Sequence, residues 1–350
     1  RRDSGGEVGG PIVLVLVPSR ELAVQISKEF KNFRCGLEYH VSSVYGGESV
    51  ERQKRYMKCD VLVATPARLA HLVDLKYVNL SRVSYLVLDE ADHMLHLGLA
   101  LQVAGICGQI RPDRQTLMFS ATWMKEVRKL AKEVLRFPVK VMINGVSTGL
   151  ANTQIKQEIV FVKGANVKLD KLLEIVKSIK EGGHAITRMM IFVDKRASLP
   201  NVVSRLKQDH PDTLAYSSDL SQQDRQRNLE QLRKNPHGIL VCTNAAARGL
   251  DIKEVAFVIN YDLPQTIERY VHRIGRTGRA GQTGVAYSLY NPNTDWRIVR
   301  QLIRCIGQAK QEVPPLLYQY AQQDWGAHAL HKGSGRDDAV PVEQDSEDDA

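Results

Sequence analysis

The chain has 350 residues, 43% hydrophobic and 25% charged, a balance that excludes wholesale disorder and a length that suits two domains. A net charge of +9 with a pI near 9.2 favours an anionic partner, and an aromatic share of only 6% argues for phosphate contacts over base stacking as the source of affinity. Five scattered cysteines, Cys35, Cys59, Cys107, Cys242 and Cys305, include no Cys-x-x-Cys pair, so neither a disulfide framework nor a zinc site is expected and reduced, buried thiols are.

In chain order, the opening stretch is polar, rich in glycine and without Met, as expected of a fragment, a processed chain or a trimmed one. No signal peptide follows, and the longest apolar runs are strand-sized, so no membrane partner is expected. Ile12–Val17, Val61–Ala64, Tyr85–Leu88 and Thr116–Phe119 read as strands buried on both faces. Amphipathic stretches at Glu21–Phe30 and Lys125–Leu135 suit crossover helices, and strand–helix–strand in series means a parallel sheet covered on both sides. A run rich in Gly, Asn, Ser and Thr at Asn144–Thr153 divides the chain. The pattern then restarts, with strands at Met190–Val193, Thr213–Tyr216, Gly238–Cys242 and Val255–Tyr261, and helices at Leu199–Gln208, Gln222–Lys234 and Ile267–Arg273. The expected organisation is an α/β domain over residues 1–147, a second over 148–325, and an acidic, disordered tail over 326–350.

Three short runs carry chemistry. Asp89-Glu90-Ala91-Asp92 follows the strand at Tyr85–Leu88, so its acids emerge at the carboxyl end of a parallel sheet, where ligands bind. One carboxylate there can hold magnesium through its waters and the next can activate an attacking water; a helix start that favours acids is the bland alternative. Ser120-Ala121-Thr122 reaches the same sheet edge, where it can bridge to Asp92 or, the better reading taken singly, cap the helix from Met124. The run from His272 to Arg279 spaces its arginines with glycines, which does not suit a packed helix face and does suit a loop aiming Arg276 and Arg279 at concentrated negative charge. His93 and His96 form a conceivable metal pair, but a solvated helix face is the expected reading.

These residues together resemble the DEAD-box RNA helicases of superfamily two. Pro18-Ser19-Arg20-Glu21-Leu22-Ala23 is similar to the family's first RNA-contact motif, Gly46-Gly47 to its double glycine, and Thr65-Pro66-Ala67-Arg68 to its Thr-Pro-Gly-Arg. In the second half Ile191-Phe192-Val193, Gln222 with Arg225, Thr243 through Asp251 and His272 through Arg279 match in the family's order, so the resemblance covers about Pro11 to Ala321. The flanks LMFSATWMKEVRKLA and QEVPP look most like the Dbp-two and p-sixty-eight branch.

The resemblance implies two tandem RecA-like domains, ATP and magnesium as cofactors, and RNA held by its backbone in a cleft between the domains. It implies that Asp89 holds magnesium through water and Glu90 activates the hydrolytic water. Asp92, Ser120, Thr122 and His272 would couple the nucleotide to domain closure, with Gln222 and Arg225 in support. Asp251 would contact the ATP ribose, and Arg276 and Arg279 the γ-phosphate. Arg20, Gly47, Thr65 and Arg68 on one side, and Thr243 and Gly249 on the other, would line the RNA backbone. A monomer in the nucleus or cytoplasm is expected; regulatory protein partners are not specified.

Ser19, Ala67, Met124, Asn244 and the pair Ser217-Ser218 depart from the family pattern in single residues. The large departure is that no Gly-x-x-x-x-Gly-Lys-Ser/Thr run occurs, and no glutamine-bearing adenine motif stands before Ile12. The family places both ahead of that strand, so the first domain is expected to be truncated, to lack a central strand, and to expose apolar edges. The 350 residues are therefore expected to be inactive alone, although the whole protein would unwind or remodel RNA. A non-catalytic RNA-binding module and a DNA translocase of the same superfamily are the alternatives.

Overall fold

Two parallel sheets, each sandwiched between helices, organise a computed structural model that describes residues 10–33, 35–142, 153–243, 252, 254–279 and 281–323. The expected break at 147/148, the acidic tail, Gly249 and Asp251 lie outside those residues. In the first half the order is β1 (Val13–Leu16), α1 (Arg20–Asn32), β2 (Val41–Val44), α2 (Val50–Lys54), β3 (Val61–Ala64) and α3 (Pro66–Asp74). Then come β4 (Tyr85–Leu88), α4 (Ala91–His96), α5 (Ala100–Gly108), β5 (Gln115–Met118) and α6 (Lys125–Val134). The strands pair in the order β2-β3-β1-β4-β5.

The second half runs β6 (Ile155–Phe161), α7 (Ala165–Glu181), β7 (Met189–Val193), α8 (Leu199–Asp209), β8 (Thr213–Tyr216), α9 (Gln222–Lys234) and β9 (Ile239–Thr243). It continues with β10 (Phe257–Asn260), α10 (Ile267–Ile274), β11 (Gly284–Tyr290), α11 (Pro292–Asp295), α12 (Val299–Gln308) and α13 (Pro315–Gln322). Its sheet order is β6-β11-β10-β7-β9-β8, again all parallel.

The unbroken apolar strands follow from this double cover. Leu14 and Leu16 stand in register with Leu62 and Ala64 on β3 and with Leu86 and Leu88 on β4, and all six pack in one core with Leu69, Leu72 and Ile106. The alternate residues Val15 and Val63 face the opposite core, against Leu22 and Ala23 of α1. In the second sheet Met190, Phe192, Leu240 and Val258 face Leu302 and Ile306, whereas Met189, Ile191, Val241 and Ile259 face Leu172, Val176 and Val202. Each fully buried Leu, Ile or Val contributes about 1.5–3 kcal/mol, so strands in a two-faced sheet gain from apolar side chains at every position.

The expected gap in the middle of the first sheet is not there. β1 pairs along its whole length with β3 on one side and β4 on the other. The exposed apolar edge is at one border instead: β5 is the outermost strand, beside β4, and Phe119 just beyond it is 53% exposed. Past α6 the alternating residues Phe137, Val139 and Val141 are 100%, 88% and 78% exposed, a strand-like apolar pattern that joins neither sheet among the described residues. Edges and apolar runs of this kind template association. The chain is therefore expected to self-associate as concentration rises, and the double substitution Phe137→Asp, Val141→Lys to reduce the larger species in light scattering; equal scattering from both would remove this surface as the cause.

Candidate functional site

Because every strand of both sheets is parallel, the carboxyl ends of β4, β5 and β9 gather the chemically useful turns. β4 delivers Asp89 and Glu90, and Glu90 takes a left-handed backbone, φ 50° and ψ 52°. A non-glycine residue there costs roughly 1–2 kcal/mol and persists when its surroundings hold it. Here they do: Asp89 Oδ1 accepts from the Glu90 N–H at 2.9 Å, and the Ala91 N–H donates to the Phe119 carbonyl at 3.0 Å, tying the turn to the end of β5.

His93 Nδ1 lies 3.1 Å from Glu90 Oε2, one helical turn on. His93 is buried, not on a solvated face, and His96 Nδ1 instead lies 2.8 Å from the Asp92 carbonyl, so the two histidines do not act as a pair. Asp92 is also buried; its Oδ1 accepts from the His93 N–H at 3.0 Å and its Oδ2 from Thr122 Oγ1 at 3.0 Å. His272 Nε2, from the second half, stands 3.9 Å from the same Oδ2. Ser120 Oγ donates to the Thr122 carbonyl at 2.7 Å. The Ser-Ala-Thr run thus serves the bridge and not the helix cap: Met124 is the N-cap of α6 and makes no side-chain cap bond.

The two leading acids are driven apart. Burial raises the Asp89 pKa, the Glu90 N–H opposes this, and the neighbouring Glu90 and Asp92 charges add to the rise. Burial also pushes Glu90 upward, but the hydrogen bond and charge of His93, with Arg276 and His272, outweigh it and hold Glu90 below its ordinary 4.5. Charges from both halves therefore act on one carboxylate.

The arginine run is half helix and half turn: the helix expected to end at Arg273 runs one residue further, and Arg276 and Arg279 lie on the turn beyond it, as the loop reading expects. His272, Arg273 and Ile274 end α10, and Arg276 to Arg279 form the turn after it. Arg276 Nε donates to the His272 carbonyl at 3.2 Å and Arg279 Nε to the Gly275 carbonyl at 2.8 Å. Thr277 is buried and donates to the Val255 and Ala256 carbonyls, and a Cβ at Gly284 would fall 2.1 Å from its Oγ1. Arg273, only 1% exposed, is a strut: it binds the Asp194 carboxylate, the Asp262 carbonyl and Asn260 Oδ1, while Lys168 and the Asp194 N–H hold the Asp262 carboxylate. Burial pulls the Arg273 pKa down and Asp194 opposes it. Only the Arg273 side of the pair is buried, since Asp194 is 35% exposed, so removing Asp194 leaves a buried guanidinium short of one partner that solvent already screens.

A second bridge joins the halves. Glu21 Oε1 on α1 accepts from Arg225 Nη1 at 3.1 Å, and the hydroxyl of fully buried Tyr216 lies 3.4 Å from the same oxygen. Gln222 Oε1 accepts from Arg225 Nη2, so the expected supporting pair does meet. On the first half's open face, Arg20 lies over the Tyr45 ring at 4.5 Å and beside Gly47, whose φ of +81° only glycine adopts freely. Thr65 precedes α3 and its N–H donates to the Val44 carbonyl; Arg68 points back to the Glu48 carbonyl at 2.8 Å. Thr243 ends β9, with its buried hydroxyl unpartnered among the described residues.

Sequence reasoning did not single out Glu21, Glu48, His93, Tyr216 or Arg273 for these roles. The three-residue spacing of Glu90 and His93 was the one local signal available. The other contacts join segments far apart in the chain.

Comparison with known proteins agrees with this geometry. Residues 5–130 match the DEAD/DEAH box helicase family and residues 167–281 the helicase conserved C-terminal domain, together more than half of the chain. The chain belongs to the DEAD/DEAH box helicases. It is similar to the ATP-dependent RNA helicase DBP2 of Eremothecium gossypii, 43% identical over 89% of this chain and 55% of that protein. The DEAD-box ATP-dependent RNA helicase 30 of Arabidopsis thaliana is 40% identical over 89% of this chain and 52% of that protein. The fold is similar to S. cerevisiae Dbp5 bound to RNA and ADP BeF3, with a TM-score of 0.75 at 28% identity over 89% of this chain and 82% of that one. It is also similar to the DEAD-box helicase Mss116 bound to ssRNA and UDP-BeF, with a TM-score of 0.74 at 26% identity over 92% of this chain and 69% of that one. The two sheets are therefore RecA-like domains, and the relatives named DBP2 bear out the Dbp-two likeness. The chain spans 52% to 61% of the length of the curated relatives it matches.

Two outcomes follow from these contacts. With dyes on exposed Cys35 and on a Lys207→Cys site in the second half, Glu21→Gln should lower energy transfer, because Arg225 loses its counter-charge across the boundary; unchanged transfer would rule out this bridge as a hold on the halves. Glu90 has a lowered folded pKa, so the stability it contributes is present above its ordinary 4.5 and lost as pH falls through the folded value. Asp89, whose folded pKa is raised above 3.8, contributes in the opposite sense: its share is present at low pH and lost as pH rises through the folded value. Melting temperatures from about pH 3 to 6 should accordingly fall less steeply toward acid in Glu90→Gln than in the unmodified chain.

Proposed function

We propose that this chain supplies the RNA-holding cleft and the hydrolytic face of an ATP-dependent RNA helicase, in which closure of two domains on the RNA backbone is coupled to ATP hydrolysis. The observation that carries this is the bridge from Thr122 through Asp92 to His272, which links the turn bearing Asp89 and Glu90 to the arginine turn of the other domain. The likeness to Dbp5 bound to RNA and ADP BeF3 and to Mss116 bound to ssRNA and UDP-BeF supports the reading.

The residues fit a magnesium–nucleotide pair. Asp89 is half-buried beside Glu90 and Asp92; desolvation, with the charges of those two carboxylates added, raises its pKa, and a cation would offset both. Asp89 would hold the ion through its waters. Bound magnesium would supply neutralisation of phosphate charge. Within that frame Glu90, kept ionised by His93, Arg276 and His272, orients and takes the proton of the attacking water. Arg276 and Arg279 stabilise the transferring phosphoryl group from across the cleft, Ser120 supports the Thr122 link, and Asp251 binds the ribose.

Arg20, Gly47, Thr65, Arg68, Thr243 and Gly249 are proposed to follow the RNA backbone, reading phosphate and sugar without base identity. The buried Thr243 hydroxyl, without a partner among the described residues, supports a contact with a phosphate oxygen at the end of β9. That the whole protein acts as a monomer in the nucleus or cytoplasm is part of the proposal, self-association being expected of these 350 residues through their exposed apolar strip; four of the five cysteines are buried free thiols, which suits a reducing compartment.

No Gly-x-x-x-x-Gly-Lys-Ser/Thr loop lies within the 350 residues, so they are expected to bind RNA without hydrolysing ATP above background. Anisotropy with a labelled single-stranded RNA and a DNA of equal length, beside a phosphate-release assay, checks both parts. Salt-sensitive binding that favours RNA is the expected result. Preference for DNA would turn the reading toward a DNA translocase, and robust phosphate release would refute the need for the loop.

A further inference from the structure

The turn between β2 and α2 places a carboxylate in the middle of the surface proposed to hold phosphates. Glu48 Oε1 accepts from Arg20 Nη2 at 2.8 Å, and its Oε2 lies 3.7 Å from Arg52 Nη1. The Glu48 carbonyl accepts from Arg68 Nη1 at 2.8 Å, an atom that also donates to Gln53 Oε1 at 3.0 Å. One residue thus engages three guanidinium groups, two of them the arginines assigned to RNA. The arrangement is well held. Arg20 and Glu48 are 16% and 27% exposed at their side chains, Arg20 rests on the Tyr45 ring, and Ser49, the next residue, caps α2 through its hydroxyl.

A guanidinium recognises carboxylate and phosphate with the same fork of N–H donors. An Arg20 whose donor already meets a carboxylate at 2.8 Å has little net charge to offer a phosphate until that carboxylate yields. We propose that Glu48 is a built-in competitor for the RNA phosphate at Arg20, a specificity-determining residue that lowers backbone affinity and speeds release. This rests on the reading of Arg20 as an RNA-backbone contact. On RNA binding, the Glu48 carboxylate gives up Arg20 and keeps only the more exposed Arg52, while Arg68 stays fixed through the Glu48 carbonyl.

The competitor role and a mere positioning role predict opposite signs. If Glu48 competes, Glu48→Gln should bind single-stranded RNA about five-fold more tightly, the scale of one partly exposed ion pair released. Its plot of log affinity against log salt should also steepen by roughly 0.7, the increment for one more phosphate neutralised on a single strand. Arg20→Ala should cost more affinity in the Glu48→Gln background than in the unmodified chain. Anisotropy titrations at several salt concentrations read all three without any ATP turnover, and Glu48→Ala repeats them should the amide itself bind Arg20. Equal or weaker RNA binding by both variants, with unchanged melting temperatures, would overturn the proposal and leave the RNA-binding reading standing. Absence of RNA binding by the unmodified chain would sink that reading, and the proposal with it.

Discussion

Asp92 is a nearly fully buried carboxylate, and a buried carboxylate has to be satisfied by partners that the fold brings to it. Its partners come from its own helix, from Thr122 at the end of the neighbouring strand, and from His272 in the other domain. The first two fix it in the sheet; the third makes its environment depend on how the domains meet. Anything that moves α10 relative to β4 changes the solvation of a buried charge, which is among the steepest electrostatic changes a protein can make. That dependence gives the site a physical reason to sense closure.

The parallel sheets make this possible. Crossover helices return each strand in the same direction, so successive strands deliver their turns to one edge. In the first domain that edge receives Pro18 to Arg20, Thr65, Asp89 and Ser120, and in the second Thr243 and Tyr261. The helices on both faces then demand apolar residues at every strand position, and the same demand made the strands conspicuous in the sequence.

Legibility followed that demand. Val61–Ala64, Tyr85–Leu88, Thr213–Tyr216 and Gln222–Lys234 were found with their observed limits, because burial on both faces or a clear cap marks their ends. β2 was overlooked: Val-Ser-Ser-Val has two hydroxyls in its middle, as a strand next to only one other can tolerate. β6 was overlooked for the related reason that Lys156 and Glu158 face outward at the border of its sheet. β11 begins at Gly284, a residue that reads as a turn until its closeness to Thr277 is seen. Within the site, the residues that act through local sequence were readable, whereas the Glu21–Arg225 contact joins positions 204 residues apart and leaves no local trace. Arg273 misled for a different reason. Its neighbours Arg276 and Arg279 lie at least partly open to solvent, and only three-dimensional packing reveals that it turns inward to Asp194.

The anchoring of Arg276 and Arg279 by their Nε atoms has a consequence of its own. A long side chain ordinarily loses up to about 2 kcal/mol of rotamer freedom when it is immobilised. Here the backbone carbonyl four residues earlier already restrains each stem, and Thr277 and Gly284 lock the turn beneath them. Much of the ordering cost is therefore met when the domain folds, not when a charged group arrives. The arrival of an anion can then be fast and nearly free of side-chain rearrangement, and the rate of any cycle built on this site would be set by the travel of whole domains.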